Sequence, residues 1–292
     1  MAEGNLIELI KILRDRTGAG LMDCKGALLA NDCDLDRASD WLREKGLAKA
    51  AKKADRIAAE GLAIAKACPS CGSVVVLELN CETDFVAKGD AFRALVDAVA
   101  DLILENRPAT VEEAKELASD LFADATVKMG EKFDLRRFTV LDSKDSAYIA
   151  SYIHMGGKIA VAVALDKEDA EFGKGLAMHI AANNPQYLSL DDVAPADVAH
   201  EKEVQLEAAK NDPKLAGKPA EMLAKIIDAK VTKYYSEMVL GSQQFLLDDS
   251  KTVAQALKEK GVKVLKFVRY QVGEGIEKRK DDFASEVMSQ VK

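Results

Sequence analysis

The sequence predicts an α+β fold, and three observations carry that expectation. Short segments with helical spacing crowd the N-terminus, apolar runs bounded by Gly and Pro read as strand hairpins, and a Pro-flanked helical pair lies further on. Aromatic residues are only 5% of the chain, so its cores rest on Ala, Leu, Val and Ile, and so few prolines in an Ala-rich chain favour helix. The 292 residues suffice for two or three domains, each with its own core.

In the first helix Leu6, Leu9, Ile10 and Leu13 share one face, with Asn5 as the expected N-cap. Gly18 and Gly20 break the chain before a second helix over Met22–Ala30. Asp34 is expected to cap a third, with Leu35, Ala38 and Leu42 inward and Gly46 ending it. Residues 47–60 read as an exposed connecting helix, whose Lys49, Lys52, Lys53 and Arg56 form a solvated face. Leu62, Ile64 and Ala67, the turn Cys68-Pro69-Ser70-Cys71-Gly72, and the run Val74–Leu79 then make a hairpin. Phe92, Leu95, Val96, Val99 and Leu102 return to helical spacing.

A second group follows a similar plan. Leu135–Leu141, Ala147–His154 and Lys158–Leu165 read as strands, and Phe172–Ala182 as a helix. Both groups run hairpin, acidic link, then a helix opened by Phe, the pattern of a weak internal duplication. Residues 195–240 read as two helices joined by Asn211-Asp212-Pro213-Lys214, with Pro195 and Pro219 near their starts. Met222, Ile226, Ala229 and Lys233 are expected along one side of the second. That hairpin is either a partner-binding or dimer-forming element, or packs on its own domain. Val264–Val272 reads as a strand and Asp281–Val291 as a terminal helix.

Charge and motifs narrow the function. The net charge of −8, from 41 basic and 49 acidic residues, argues against a broad nucleic-acid face. No apolar run approaches the roughly 20 residues of a membrane span. Met1–Asn5 has no basic start before an apolar stretch, so no secretory signal is expected, and five cysteines outside any small disulfide framework read as reduced cytoplasmic thiols. No phosphate loop of the form G-x-x-x-x-G-K-[ST] occurs. Gly156-Gly157-Lys158 lacks the upstream glycine and the hydroxyl, and Gly273-Glu274-Gly275 lacks the third glycine of a dinucleotide loop. Asp32, Asp34 and Asp36 alternate like a calcium loop, but Arg37 stands where its glycine belongs and Arg43 where its glutamate belongs, so helix capping explains them better. Cys68 and Cys71 have C-x-x-C spacing without a second pair, and His154, His179 and His200 are scattered. Turn residues are the plainer reading of that cysteine pair. No H-E-x-x-H and no G-x-S-x-G is present. The sequence offers no catalytic site, no metal site and no cofactor, so the expected activity is binding and the chain is not read as an enzyme.

One short segment stands out. After the buried strand comes Asn80-Cys81-Glu82-Thr83-Asp84-Phe85-Val86-Ala87-Lys88, where Thr83 or Asp84 can cap a helix. Phe85 then lies on the turn, either stapled into the core or exposed as a wedge for a partner. Periodicity leaves both open.

Five segments together resemble the bacterial elongation factor Ts family, the exchange factors of elongation factor Tu. They are Arg16-Thr17-Gly18-Ala19-Gly20-Leu21-Met22-Asp23-Cys24-Lys25, Thr83-Asp84-Phe85-Val86-Ala87-Lys88, Ile153-His154-Met155-Gly156-Gly157-Lys158-Ile159, Ala177-Met178-His179-Ile180-Ala181-Ala182 and Val272-Gly273-Glu274-Gly275-Ile276-Glu277-Lys278. They stand in the family's order. The resemblance implies a ubiquitin-associated-like docking bundle over residues 1–54 and a core whose N-terminal half is 55–142. Its C-terminal half would be 143–190 and 242–275, with a projecting coiled-coil or dimerisation hairpin at 191–241 and a C-terminal helical module at 276–292. It implies that Asp84 and Phe85, with Thr83 and Val86 around them, enter the partner near its magnesium site. Leu21, Met22, Met129, Gly130, His154 and His179 would also touch the partner. The implied partner is elongation factor Tu, with no nucleotide, membrane or nucleic acid bound directly, and with a homodimer or a 2:2 complex compatible with the hairpin. Two other classes compete: an adaptor or scaffold without exchange activity, and an oxidoreductase using Cys68 and Cys71.

Overall fold

A computed structural model describes residues 3–212, 215 and 219–276 of the chain, which fall into two compact units. Residues up to 140, 155–160 and 270–276 form the first, and 141–154 with 161–269 the second. The expected terminal helix at Asp281–Val291, and the module 276–292 beyond Ile276, lie outside the described residues.

The first unit opens with helices α1 (Glu3–Thr17), α2 (Leu21–Ala30) and α3 (Leu35–Lys52). Asn5 falls within α1 rather than before it, so it is not the cap. Ile10, Leu13, Cys24, Ala27, Leu28, Ala38 and Leu42 bury a small common core. Asp34 caps α3 by accepting the Asp36 and Arg37 backbone N–H groups, both at 2.9 Å. Those bonds, from Arg37 foremost, hold its carboxyl below the usual range. The chain continues through β1 (Glu60–Ala67), β2 (Val74–Cys81), α4 (Asp84–Ala87), α5 (Asp90–Asn106), α6 (Val111–Leu117), α7 (Ser119–Met129) and β3 (Asp134–Leu141). β1 and β2 are antiparallel, with Glu60 opposite Cys81 and Ala67 opposite Val74, and β3 adds beside β2. β2 is buried along its whole length, which is why Val74–Leu79 reads as an almost continuous apolar run. Phe92, Val96, Val99 and Ile103 of α5 close that core.

Gly46 does not end α3, which runs on to Lys52. A Cβ there would lie 2.6 Å from the Ala123 carbonyl oxygen of α7, so the missing side chain lets two helices approach closely. Helices α6 and α7 have no counterpart in the sequence reading, because a short acidic stretch gives only a weak periodic signal. The expected exposed helix over 47–60 gives way after Lys52 to turns and then β1. Its basic residues have internal partners: Lys49 with Asp23 at 3.2 Å, Arg56 with Glu82 at 3.1 Å, and Lys53 with the Gly130 carbonyl.

Two polar residues, Glu78 and Asn80, interrupt the buried strand, and the first carries a charge. The Glu78 side chain is wholly buried, and its carboxylate accepts from Arg137 Nε at 2.7 Å, Arg136 Nη1 at 3.1 Å and the Gly273 backbone N–H at 2.8 Å. Arg137 also donates to the Gln271 carbonyl at 3.1 Å, and its guanidinium lies 4.4 Å from the centre of the Tyr270 ring. Gly273 has φ +72°, and a Cβ on it would stand 2.6 Å from the Ala59 carbonyl oxygen. The Val272-Gly273-Glu274 segment thus serves as a latch onto β2 and β3 within this unit.

The second unit contains β4 (Tyr148–His154), all but the first two residues of β5 (Ile159–Leu165), α8 (Ala170–Asn183), α9 (Pro195–Lys210), α10 (Ala220–Ser236), β6 (Gln244–Phe245), β7 (Asp248–Thr252), α11 (Val253–Lys260) and all but the last two residues of β8 (Val264–Gln271). Its main sheet has the order β4-β5-β8, and β6 pairs with β7 antiparallel. β3 therefore belongs with the first hairpin and not with β4 and β5. Each three-stranded sheet is a hairpin whose second strand takes a later third, and each hairpin is followed by a helix burying a Phe near its start, Phe92 or Phe172. In the helical pair, Ile227, Val231 and Tyr235 are the buried stripe of α10. Met222, Ala229 and Lys233 face solvent instead, one residue out of step with the expected face. No helix among the described residues is long and apolar enough to cross a membrane.

Two substitutions test this packing by denaturant unfolding. Glu78→Ala leaves two guanidinium groups and a backbone N–H without their acceptor and should cost about 3–5 kcal/mol. Gly46→Ala forces α3 off α7 and should cost about 1–3 kcal/mol.

Candidate functional site

Three of the sequence-predicted groups lie in the first unit. β2 ends at Cys81, and the chain turns at Glu82 and Thr83 into α4. Thr83 is the N-cap, its Oγ accepting from the Val86 N–H at 3.3 Å. The turn is fixed from outside by Glu131, one carboxylate oxygen of which accepts the Glu82 and Thr83 backbone N–H groups at 3.0 and 3.1 Å. The other accepts the Thr83 hydroxyl at 2.6 Å. Glu82 in turn accepts the Lys132 N–H at 2.8 Å. The two acidic side chains form a reciprocal clasp between the end of β2 and the residues following α7.

That clasp settles the position of Phe85. Val86 packs against the core cluster and Ala87 is buried, so these two staple the short helix down. Phe85 points the other way and is 84% exposed. Leaving such a ring in water forgoes about 2 kcal/mol that burial would contribute. Asp84 beside it makes a 2.6 Å ion pair with Lys88 one turn on. The Lys88 hydrogen bond holds the Asp84 carboxyl below its ordinary range, so it is ionised at neutral pH. The turn therefore displays an apolar ring and a carboxylate on adjacent residues.

Met129 and Gly130 close α7 just before Glu131. Met129 is partly buried against the core, and Gly130 is the left-handed C-cap whose carbonyl takes the Lys53 ammonium. Residues 129–130 and 83–86 are distant in sequence yet are joined through Glu131. Leu21 and Met22 open α2 and are 52% and 72% exposed. Val127 of α7 packs against the core of the three helices while Ala125 and Met129 pack against the core of the sheet, so one helix serves both clusters.

The two histidines belong to the second unit. His154 ends β4, half-buried, with Nδ1 3.1 Å from the Tyr152 hydroxyl. The three residues after it, Met155, Gly156 and Gly157, all have positive φ and belong to the first unit. His179 departs from the expectation of a partner contact. It is fully buried, its Nδ1 accepts from the Asn183 amide and the Leu246 N–H at 3.0 and 3.1 Å, and its Nε2 donates to Gln243 Oε1 at 2.9 Å. With both nitrogens committed inside, its ring is a structural hub and has no surface to offer a partner. The anchoring glutamates, Glu131 and Glu82, were missed in the sequence, where isolated acids carry no periodic signal.

A family model described as Elongation factor TS matches residues 82–274 of the chain. The match begins at the turn carrying Phe85, spans both histidines and ends at the latch residue Glu274. Leu21 and Met22 lie outside it.

Burial pushes the His179 pKa below its ordinary 6.5, against a smaller opposing effect of Gln243. The unfolded chain then takes up this proton first as pH falls, so stability present above about pH 6.5 is lost on acidification below it. Melting temperature should fall over that interval, with a flatter slope in His179→Gln.

Proposed function

Since the chain belongs to the elongation factor Ts family, we propose that it releases GDP from elongation factor Tu by inserting the Asp84–Phe85 turn beside the partner's magnesium site. The family acts in translation elongation, by binding and not by chemistry of its own. In the proposed mechanism Phe85 wedges apart side chains beneath the loops that hold the metal, and Asp84 competes for groups around it. Magnesium neutralises phosphate charge, so a disturbed ion weakens nucleotide binding. The observation that carries this reading is the exposure of Phe85 on a turn fastened by Glu131.

A wedge needs a rigid mount, because a ring on a loose loop would fold away rather than push. Accelerating release by about 10⁴-fold requires lowering the barrier by roughly 5.5 kcal/mol. One aromatic anchor contributes about 1–3 kcal/mol, so other contacts have to hold it in place. We assign that docking to the ubiquitin-associated-like N-terminal helices through Leu21 and Met22, to Met129 and Gly130, and to His154. By linkage, whatever the factor does to nucleotide affinity, nucleotide does equally to the affinity of the factor. The α9–α10 hairpin is assigned as the coiled-coil or dimerisation element, and the protein is placed in the cytoplasm with its partner.

Release of fluorescent GDP from elongation factor Tu, chased with unlabelled GDP, tests the proposal. Phe85→Ala should slow stimulated release about ten- to a hundredfold while complex formation persists. Its stability should stay within about 0.5 kcal/mol of the parent, because the ring is exposed. Unchanged stimulation would move the site elsewhere, and no stimulation by the parent protein would leave an adaptor role.

A further inference from the structure

The turn between β1 and β2 carries a feature that nucleotide exchange does not use. Its residues are Cys68-Pro69-Ser70-Cys71-Gly72. The Gly72 N–H donates to the Cys68 carbonyl at 2.9 Å, and the Cys68 N–H to the Ser73 carbonyl at 2.8 Å. The first of these bonds closes one helical turn, which sets residues three apart on the same side. Cys68 and Cys71, three residues apart, are set on that same side of the turn. Cys68 Sγ also lies 3.3 Å from the Ser70 hydroxyl, and Arg107, just after α5, donates to Cys71 Sγ at 3.3 Å. Cys71 is exposed and Cys68 partly so, whereas Cys24 and Cys81 are buried. Hydrogen bonds, from Cys71 first and then Ser70, bring the Cys68 thiol down to about 7, while burial pushes Cys81 up to about 12.

We propose that Cys68 and Cys71 form a dithiol–disulfide couple that exchanges with low-molecular-weight disulfides, a thiol-modification site independent of nucleotide exchange. In the first step the Cys68 thiolate attacks one sulfur of R–S–S–R. The oxidant's S–S bond breaks, and R–S⁻ leaves and is protonated. In the second, Cys71, as its thiolate, attacks the Cys68 sulfur of the mixed disulfide and expels the second R–S⁻, which takes up a proton. Two electrons pass from the cysteine pair to the oxidant, giving one Cys68–Cys71 disulfide and two R–SH.

The test equilibrates the full chain with reduced and oxidised glutathione over a range of ratios, alkylates the remaining thiols and weighs the peptides. The peptide spanning residues 68–71 should lose two hydrogens as a two-electron couple, while Cys24 and Cys81 stay alkylatable. Cys71→Ala should stop at the Cys68–glutathione mixed disulfide. At neutral pH the thiolate fraction of Cys68 exceeds that of an ordinary thiol about fiftyfold, and its nucleophilicity falls about tenfold, so iodoacetamide should take it about fivefold faster than a model cysteine peptide. In Cys71→Ala that advantage should shrink, with the part due to Ser70 remaining. A 68–71 dithiol that persists in the most oxidising buffer, an adduct that never closes in the parent chain, or Cys68 alkylation no faster than the model peptide would each overturn the proposal.

Discussion

The first unit depends on one buried charge. A carboxylate taken out of water costs several kcal/mol unless its lone pairs are filled, and Glu78 sits in the middle of the most deeply buried strand. Besides the neighbouring Asn80 amide, its partners come from distant parts of the chain: two arginines on β3 and the backbone N–H of Gly273. Meeting this demand brings β3 against β2 and draws the 270–276 segment onto the sheet. The Gly at 273 follows from the same constraint, since the backbone reaches Glu78 only where a side chain would strike the Ala59 carbonyl. The Gly273-Glu274-Gly275 segment, a dinucleotide loop short of one glycine in the sequence, is thus the fastening of a sheet.

At the far end of β2 the same logic builds the display site. The strand's regular hydrogen bonding stops at Cys81, and the backbone N–H groups of Glu82 and Thr83 require acceptors. Glu131 supplies them, and Glu82 does the same for Lys132. The Glu82 and Thr83 N–H groups and the Thr83 hydroxyl are occupied with holding the turn's shape, so Phe85 and Asp84 project from a fixed mount. Such preorganisation lowers the entropy that binding would otherwise consume.

The cysteine turn lies at the opposite end of β2, eight residues away along a strand. At about 3.3 Å per residue, that separates the thiols from Phe85 by roughly 25 Å. Modification there and the proposed contact of Phe85 with the GTPase are therefore spatially distinct, at opposite ends of β2.

By itself the sequence determined most of the elements and the family. Leu6, Leu9, Ile10 and Leu13 sketch α1, the almost continuous apolar run of β2 marks a strand buried on both faces, and Asp34 caps α3 as its chemistry dictates. Local pattern suffices where a residue's role concerns its own helix or strand. Tertiary structure decided the rest. Gly46 reads as a helix end until α7 arrives against it, and β3 pairs with β2 because Glu78 demands its arginines. His179 looks like a contact residue until Gln243 and Leu246 enclose it. Residue periodicity could not choose between a stapled and an exposed Phe85, because both place a ring beside the same cap, and the structure shows it exposed. What separates them is Val86 and Ala87 taking the core positions while Glu131, forty-eight residues beyond Thr83, fixes the turn. Contacts between residues so far apart depend on the folded path of the chain, which no local spacing encodes.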